Sequence, residues 1–328
     1  MRHFFVINPH SFKSTDEMNK VIADCEDAAL QKSSRIYVSR NRRDAVAVVY
    51  RHLSDIPADE AVRVYAIGGD GILFDCLNGI IDFPNAELTS VPYGYANDFV
   101  RAFGGDVKPA FRNIKKLIES PSRPVDIICC GANYALNGVN IGVGGQTTLY
   151  ANMILRNNKK RLTSKLVPKI YSFSAVRALF SKDVREQRYT IYMDGDEVCD
   201  SYANIHIANG SCNGGSMIPS PYAVPDDGWL DVITLQAKHI PGFVKTVRDY
   251  ERGQFENNKK THKYRRCKKI EVHSEHPFYI EMDGEAFLAD EMKFEVVPGG
   301  IKFFAPEGVE FADYSYLARS GGRGRQKA

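Results

Sequence analysis

Residues 64 to 80 read VYAIGGDGILFDCLNGI, an apolar run that stops at Gly68-Gly69-Asp70-Gly71 and passes at once into a helical pattern. Glycines at such a junction let backbone N–H groups come close to a phosphate, and the start of a helix adds a favourable dipole. Asp70 has the wrong sign to bind the phosphate itself. Its natural task is to hold Mg2+, directly or through water, where the ion bridges phosphate oxygens. The loop is neither the dinucleotide fingerprint G-x-G-x-x-G nor a Walker A loop, which would need Gly-Lys-Ser/Thr. Taken alone it could equally be a tight turn with a capping aspartate. Two further junctions change that balance. VPYGYANDFVRAFG (91–104) carries Asn97-Asp98 after a strand, and NPHSFK (8–13) follows the first strand. In a parallel sheet all three turns lie at one carboxyl edge, where α/β sheets bind ligands.

The elements that place these turns follow from periodicity. Strands are expected at 4–7, 35–38, 62–67 and 88–91, and helices at 16–31, 42–53, 72–81, 97–103 and 109–119. Strands alternating with helices imply a mainly parallel, Rossmann-like sheet. After Pro124 the chain turns strand-rich, and Met193-Asp194-Gly195-Asp196 and Asp283-Gly284 read as hairpin turns. Helical stretches at 162–181 and 240–252 interrupt it. The expected architecture is an α/β N-terminal domain (1–127, with a returning segment near 303–316) and a mostly antiparallel β-sandwich C-terminal domain (128–302). The active site should lie in the cleft between them, and the basic tail 318–328 should be disordered.

Composition excludes several classes. With 44% hydrophobic and 25% charged residues, the chain has the balance of a soluble globular protein. No apolar run has bilayer length, and the N-terminus reads as a strand, so a cytoplasmic location is expected. Seven scattered cysteines without a C-x-x-C pair suggest neither a disulfide framework nor a zinc site. The net charge is only +3, but basic residues cluster at 157–165, 257–269 and 318–328. Each run alone reads as a solvated face; together they suit peripheral contact with an anionic membrane surface. No nucleic-acid-binding motif occurs.

Asn8-Pro9-x-Ser11, Gly68-Gly69-Asp70-Gly71 with Asn78-Gly79, and Gly94-x-x-Asn97-Asp98-Phe99-x-Arg101 have the order and spacing of the diacylglycerol kinase catalytic domain. RPVDI (123–127), NIGVGG (140–145), PDDGWLDV (225–232) and MDGE (282–285) extend the resemblance to this lipid kinase family over residues 2 to 305. The resemblance implies ATP and Mg2+ as cofactors and a lipid alcohol such as diacylglycerol as acceptor. By it, the turns at Asn8, Pro9 and Ser11, Gly68 to Gly71, and Gly94, Asn97 and Asp98 cradle ATP. Asp70, Asp98 and Asp126 hold the catalytic Mg2+ through water. Asp283 is the general base, with Glu285 as its neighbouring carboxylate. Asp227 forms a second, structural metal site with the carbonyls of Pro225 and Trp229. A homodimer stays open.

The chain departs from the family pattern at Phe12, Ile72, Phe74 and Tyr95, where small or polar groups are usual; Asp75 keeps a carboxylate beside Phe74. A glycine-type φ would be costly for Phe12, and Lys13 is a candidate for compensating charge. A degenerate, non-catalytic lipid- or nucleotide-binding regulator is therefore the alternative, and an NAD kinase a more distant one. Retention of Asp70, Asp98, Asp126, Asp283 and Glu285 favours the enzyme. His206 is expected to be a packed core histidine, Trp229 to pack between strands, and Phe173, Val176, Leu179 and Phe180 to be core. The resemblance places that helical region near the lipid cavity as a second reading.

Overall fold

The computed structural model describes residues 1–29, 33–41, 43–157, 166–236 and 240–318. Most of the 157–165 run and all but one residue of the tail lie outside them. Strands β1 (Arg2–Ile7), β2 (Ser34–Val38), β3 (Val62–Gly68) and β4 (Ala86–Pro92) pair in parallel in the order β4-β3-β1-β2. Helices α1 (Thr15–Ala28), α2 (Asp44–Ser54) and α3 (Asp70–Ile80) connect them. Every residue of β3 is buried, and apart from Arg63, which pairs with Glu87 at 2.8 Å, the strand is the apolar run that a sheet covered on both faces requires. α2 buries Ala45, Val49 and Leu53, one stripe at helical spacing, and α1 is capped by Ser14, whose Oγ accepts the Glu17 N–H at 3.1 Å.

Three short helices follow β4: α4 (Asp98–Arg101), α5 (Lys108–Arg112) and α6 (Ile114–Leu117). The single helix expected over 109–119 is broken at Asn113, whose backbone leaves the helical region and whose side chain caps α6. Next come β5 (Ser122–Cys130), β6 (Asn133–Ala135), β7 (Gly138–Gly142), α7 (Val143–Asn157), α8 (Val167–Phe180) and α9 (Lys182–Arg185). The hairpin β8 (Arg188–Met193) and β9 (Asp196–Ser201) precedes β10 (Asn204–Ala208), β11 (Leu230–Leu235), α10 (Ile240–Glu251), β12 (His262–Cys267), β13 (Lys269–Met282) and β14 (Glu285–Phe304).

In the C-terminal domain β12-β11-β10-β7-β13-β14 are antiparallel neighbours. β13 shifts register between His273 and Phe278; its first part pairs with β8 and its last residues with β7, so one strand serves both faces of the sandwich. The turns Asp194-Gly195 and Asp283-Gly284 both have positive φ at their two residues, the geometry of tight antiparallel hairpins. β14 pairs with β13, then β5, and finally joins β4 in parallel at Lys302 and Phe303. At its end Phe304 meets Tyr65 edge-on at 5.0 Å, and beyond it Phe311 stacks on Phe103 at 4.4 Å. The chain thus returns to the first core after building the second.

α7 had no clear signature in the sequence. It starts directly after β7, and packing fixes it: a Cβ on Gly145 would lie 2.5 Å from the Tyr279 carbonyl, so the first turn rests on the backbone of β13. The described part of the expected 162–181 helix is α8. Its residues Phe173, Val176 and Phe180, expected in the core, face outward; only Leu179 is half-buried. Within the basic run 257–269, Arg265 pairs with Asp196 and Arg266 with Asp227, so part of that charge is neutralised locally.

Candidate active site

The three turns of the parallel sheet do meet. The Gly68 carbonyl ends β3 and accepts N–H groups from Tyr93 and Gly94, both at 2.7 Å. A Cβ on Gly94 would lie 2.2 Å from the Gly69 Cα, so this approach of the two loops requires glycine. Asp70 opens α3, and its carboxylate accepts the backbone N–H groups of Asn97 and Asp98, each at 2.8 Å. Asn97 holds a left-handed conformation (φ 51°), which turns Asp98 into position. Asp98 Oδ1 in turn accepts the Gly215 N–H at 2.8 Å and the Arg101 Nη1–H at 3.1 Å. Gly215 lies between β10 and β11, so Asp98 ties the two domains together across the cleft.

The opposite wall is the β13–β14 hairpin. Asp283 sits in its turn with φ 44° and accepts N–H groups from Leu136 at 2.6 Å, Asn137 at 3.2 Å and Gly138 at 3.0 Å. The hairpin turn expected at Asp283-Gly284 is present, and it sets the Asp283 side chain in the wall of the cavity. Two residues earlier, Glu281 accepts the Asn140 Nδ2–H at 2.7 Å and the Gly284 N–H at 2.6 Å. Asn140 Oδ1 faces His206 Nδ1 at 3.0 Å and accepts from the Tyr250 hydroxyl at 3.3 Å.

These groups line one cavity of about 760 Å³. Asn8, Gly69, Asp70, Gly71, Asp98, Asp283 and Glu285 all contribute to its wall, while Pro9, Ser11, Gly68, Gly94 and Asn97 stand behind it. The wall also includes the apolar side chains of Val143, Leu155, Val167, Leu179 and Leu235. Withdrawal from water raises the Asp70 carboxyl above the usual range, and the charge of Asp98 raises it further. Asp98 is raised chiefly by burial. Burial lifts Asp283 to about 6 against the pull of its three backbone donors, and lifts Glu281 to about 8.

Among the described residues no Lys or Arg pairs with Asp70 or Asp283. Nor do three His, Cys, Asp or Glu side chains of those residues close on one point. Clustered, mutually repelling carboxylates without direct chelation fit a hydrated Mg2+, held through its own waters.

Asp126 is not brought to this cavity. Its Oδ1 accepts the Gly299 N–H at 2.7 Å and its Oδ2 the Gly228 N–H at 2.6 Å, while its own N–H donates to the Pro225 carbonyl at 2.7 Å. It clamps two loops instead of joining Asp70 and Asp98. Asp227 lies beside that clamp; it accepts the Trp229 N–H at 3.1 Å and is ion-paired with Arg266. Trp229 does not pack between strands: it is 36% exposed, with Lys268 Nζ 5.0 Å from its ring.

The departures from the family pattern are absorbed by packing. Phe12 is extended (φ −96°, ψ 150°), buried, and set against Tyr93 at 4.8 Å, so no glycine-type conformation is demanded. Ile72 is buried beside Gly68. Phe74 lies in the second core under the Arg43 guanidinium, 5.4 Å from its ring. Tyr95 lines the cavity and is 44% exposed. Lys13 is not part of the cavity wall.

Sequence reasoning missed Glu281, Asn140 and Tyr250, and treated His206 as core only, whereas it is buried and lines the cavity. The signal for Glu281 was present: in a strand, residues two apart share a face, so EMD points two acids the same way.

Comparison with known proteins agrees with this fold. Residues 2–130 match the diacylglycerol kinase catalytic domain, and residues 139–305 match the YegS C-terminal NAD kinase beta sandwich-like domain. A Shewanella frigidimarina protein named "Probable lipid kinase YegS-like" is 27% identical over 267 residues, 79% of this chain and 82% of that protein. A Pseudomonas putida protein of the same name is 28% identical over 251 residues, 75% of this chain and 78% of its own. The crystal structure of a diacylglycerol kinase from Bacillus anthracis has the same fold, with a TM-score of 0.67, 21% identity, and coverage of 94% of this chain and 98% of that one. The second domain match alone spans just over half of the 328 residues, and the chain belongs to the lipid kinase family that joins a diacylglycerol kinase catalytic domain to a YegS-type β-sandwich.

Proposed function

We propose that the protein is an ATP- and Mg2+-dependent lipid kinase that transfers the γ-phosphate of ATP to the hydroxyl of diacylglycerol or a similar lipid alcohol. One observation carries this reading: a single cavity is lined both by Asp70, Asp98 and Asp283 and by apolar side chains such as Val143, Leu155, Val167 and Leu179. Backbone N–H groups of the Gly69–Gly71 loop and the start of α3 bind the phosphates. Asp70 and Asp98 would hold Mg2+, which when bound neutralises charge on the phosphate oxygens. Asp283 accepts the proton of the lipid hydroxyl as its oxygen bonds to the γ-phosphorus, and the bond to the bridging oxygen of ADP breaks. Positioned proton transfer of this kind contributes roughly 10²–10⁴-fold. The backbone donors from Leu136, Asn137 and Gly138 keep that carboxylate oriented and charged at neutral pH.

The apolar part of the lining favours a lipid acceptor over the second nucleotide that an NAD kinase would need. We place the work of the enzyme at an anionic membrane surface; no described helix is long and apolar enough to cross one. The test is phosphorylation of a lipid panel with labelled ATP and Mg2+, with Asp70→Ala and Asp283→Asn as controls. At least one lipid should be labelled by the wild type and none appreciably by the variants. A blank panel with ATP or lipid still bound would leave a non-catalytic regulator in its place.

A further inference from the structure

We infer that the outer face of α8 inserts into the surface of an anionic phospholipid bilayer, beside the cavity that receives the acceptor lipid. This rests on the lipid kinase reading. Phe173, Val176 and Phe180 are 62%, 52% and 66% exposed. Their spacing puts them on one side of the helix. Leu166 at its start and Met153 on the neighbouring α7 are also exposed, at 42% and 51%. Single exposed apolar residues are ordinary, but a helical stripe with two phenylalanines marks an interaction surface.

The other side of the same helix explains which surface. Val167, Tyr171, Ala175 and Leu179 line the cavity. A helix that is apolar on both sides belongs in a core or in contact with lipid. Here one side faces the proposed lipid site and the other faces outward, so a membrane-embedded stripe would bring the cavity wall to the leaflet that stores its substrate. Charge agrees. α8 contains no Asp or Glu, Lys169 and Arg177 are exposed on it, and Lys182 follows at once. Arg177 is held over the Tyr150 ring at 4.2 Å. Of the acids that follow, Asp183 is on α9 and Glu186 caps its end, pairing with Arg185 at 2.8 Å and with Lys182 at 3.9 Å. An apolar stripe flanked by cations is the pattern of interfacial helices on anionic lipid. A protein partner or a second copy of the chain would need no such placement beside a lipid-sized cavity.

The test is flotation of the full chain with vesicles of phosphatidylcholine and phosphatidylglycerol. The wild type should bind, and Phe173→Glu/Phe180→Glu should weaken binding by roughly tenfold or more. Phe173→Leu/Phe180→Leu should restore it, and unchanged circular dichroism would confirm that the variants fold. On dispersed short-chain diacylglycerol the Glu variant should turn over like the wild type. If the Glu variant floats as well as the wild type, or the wild type does not float, the inference is overturned. It is equally overturned if the stripe instead supports a concentration-dependent dimer that the Glu variant abolishes. Flotation lost in the Glu variant while no form labels any lipid would support docking and refute the kinase reading.

Discussion

Asp70 Oδ1 accepts the backbone N–H of Asp98 at 2.8 Å, so the acid of one glycine-rich turn fixes the acid of the next. The two carboxylates repel, yet one is the anchor of the other's backbone. Under the proposed function a cation held between them would offset that repulsion, and the same bond would make Asp70 both a structural and a functional residue.

Asp70→Ala should therefore fail twice. It removes the charge at the metal site and leaves the Asn97 and Asp98 N–H groups without their acceptor, a loss of roughly 1–3 kcal/mol for each such donor that stays buried. Asp70→Asn keeps an acceptor oxygen. Thermal melting should show a clear fall for Ala and a smaller one for Asn, while both lose Mg2+-dependent phosphorylation by about 10²-fold or more. Equal activity in Asn and wild type would remove Asp70 from the metal site.

Asp283→Asn should preserve the hairpin, since the amide oxygen can still accept from the backbone of residues 136–138. The expected effect is a fall of roughly 10²–10⁴-fold in kcat with little change in the KM for ATP. Steady-state kinetics on any lipid the wild type phosphorylates will decide it; an unchanged kcat means that another group is the base.

Glu281 predicts a pH dependence of stability. Burial holds its carboxyl at about 8, against an ordinary value of 4.5. The fold favours the protonated form, so this contribution is complete below pH 4.5 and is lost as pH rises through 8. The melting temperature should decline between about pH 4.5 and 8, and Glu281→Gln should flatten that decline. A Gln variant with the wild-type slope would show that other groups control it.

Asp126→Ala tests a structural clamp against a catalytic metal ligand. Removal takes the acceptor from the N–H groups of half-buried Gly228 and exposed Gly299, which should cost roughly 1–3 kcal/mol in all because water can reach them. Turnover per folded molecule should stay within about twofold, because Asp126 is outside the cavity. A variant that melts normally but loses turnover would return Asp126 to the catalytic metal set.

The N-terminal domain was legible because its signals are local. Buried parallel strands are near-continuous apolar runs, as in β3, and a strand that stops at glycines and an acid marks a turn at the sheet edge whatever the rest of the chain does. The order of motifs from Asn8 to Glu285 likewise pointed to the family before any coordinate was known. The C-terminal helices were harder. α7 follows β7 without a break, and its register is set by Gly145 lying against the backbone of β13, a contact between residues far apart in sequence.

The roles of the acids divide on the same line. The amino-acid sequence by itself determined which carboxylates the chain possesses and that Asp70 and Asp98 must follow parallel strands. It could not tell which of Asp126 and Asp283 faces the cavity, because both stand in strand-rich segments whose turns are set by distant contacts. Only the tertiary structure decided between them: three converging backbone donors aim Asp283 into the cavity, while two others hold Asp126 between loops away from it. The outward face of α8 was decided in the same way. Periodicity gives a helix its apolar stripes, but which stripe meets protein and which meets the surroundings depends on what packs against it, and that is settled only when the whole chain has folded.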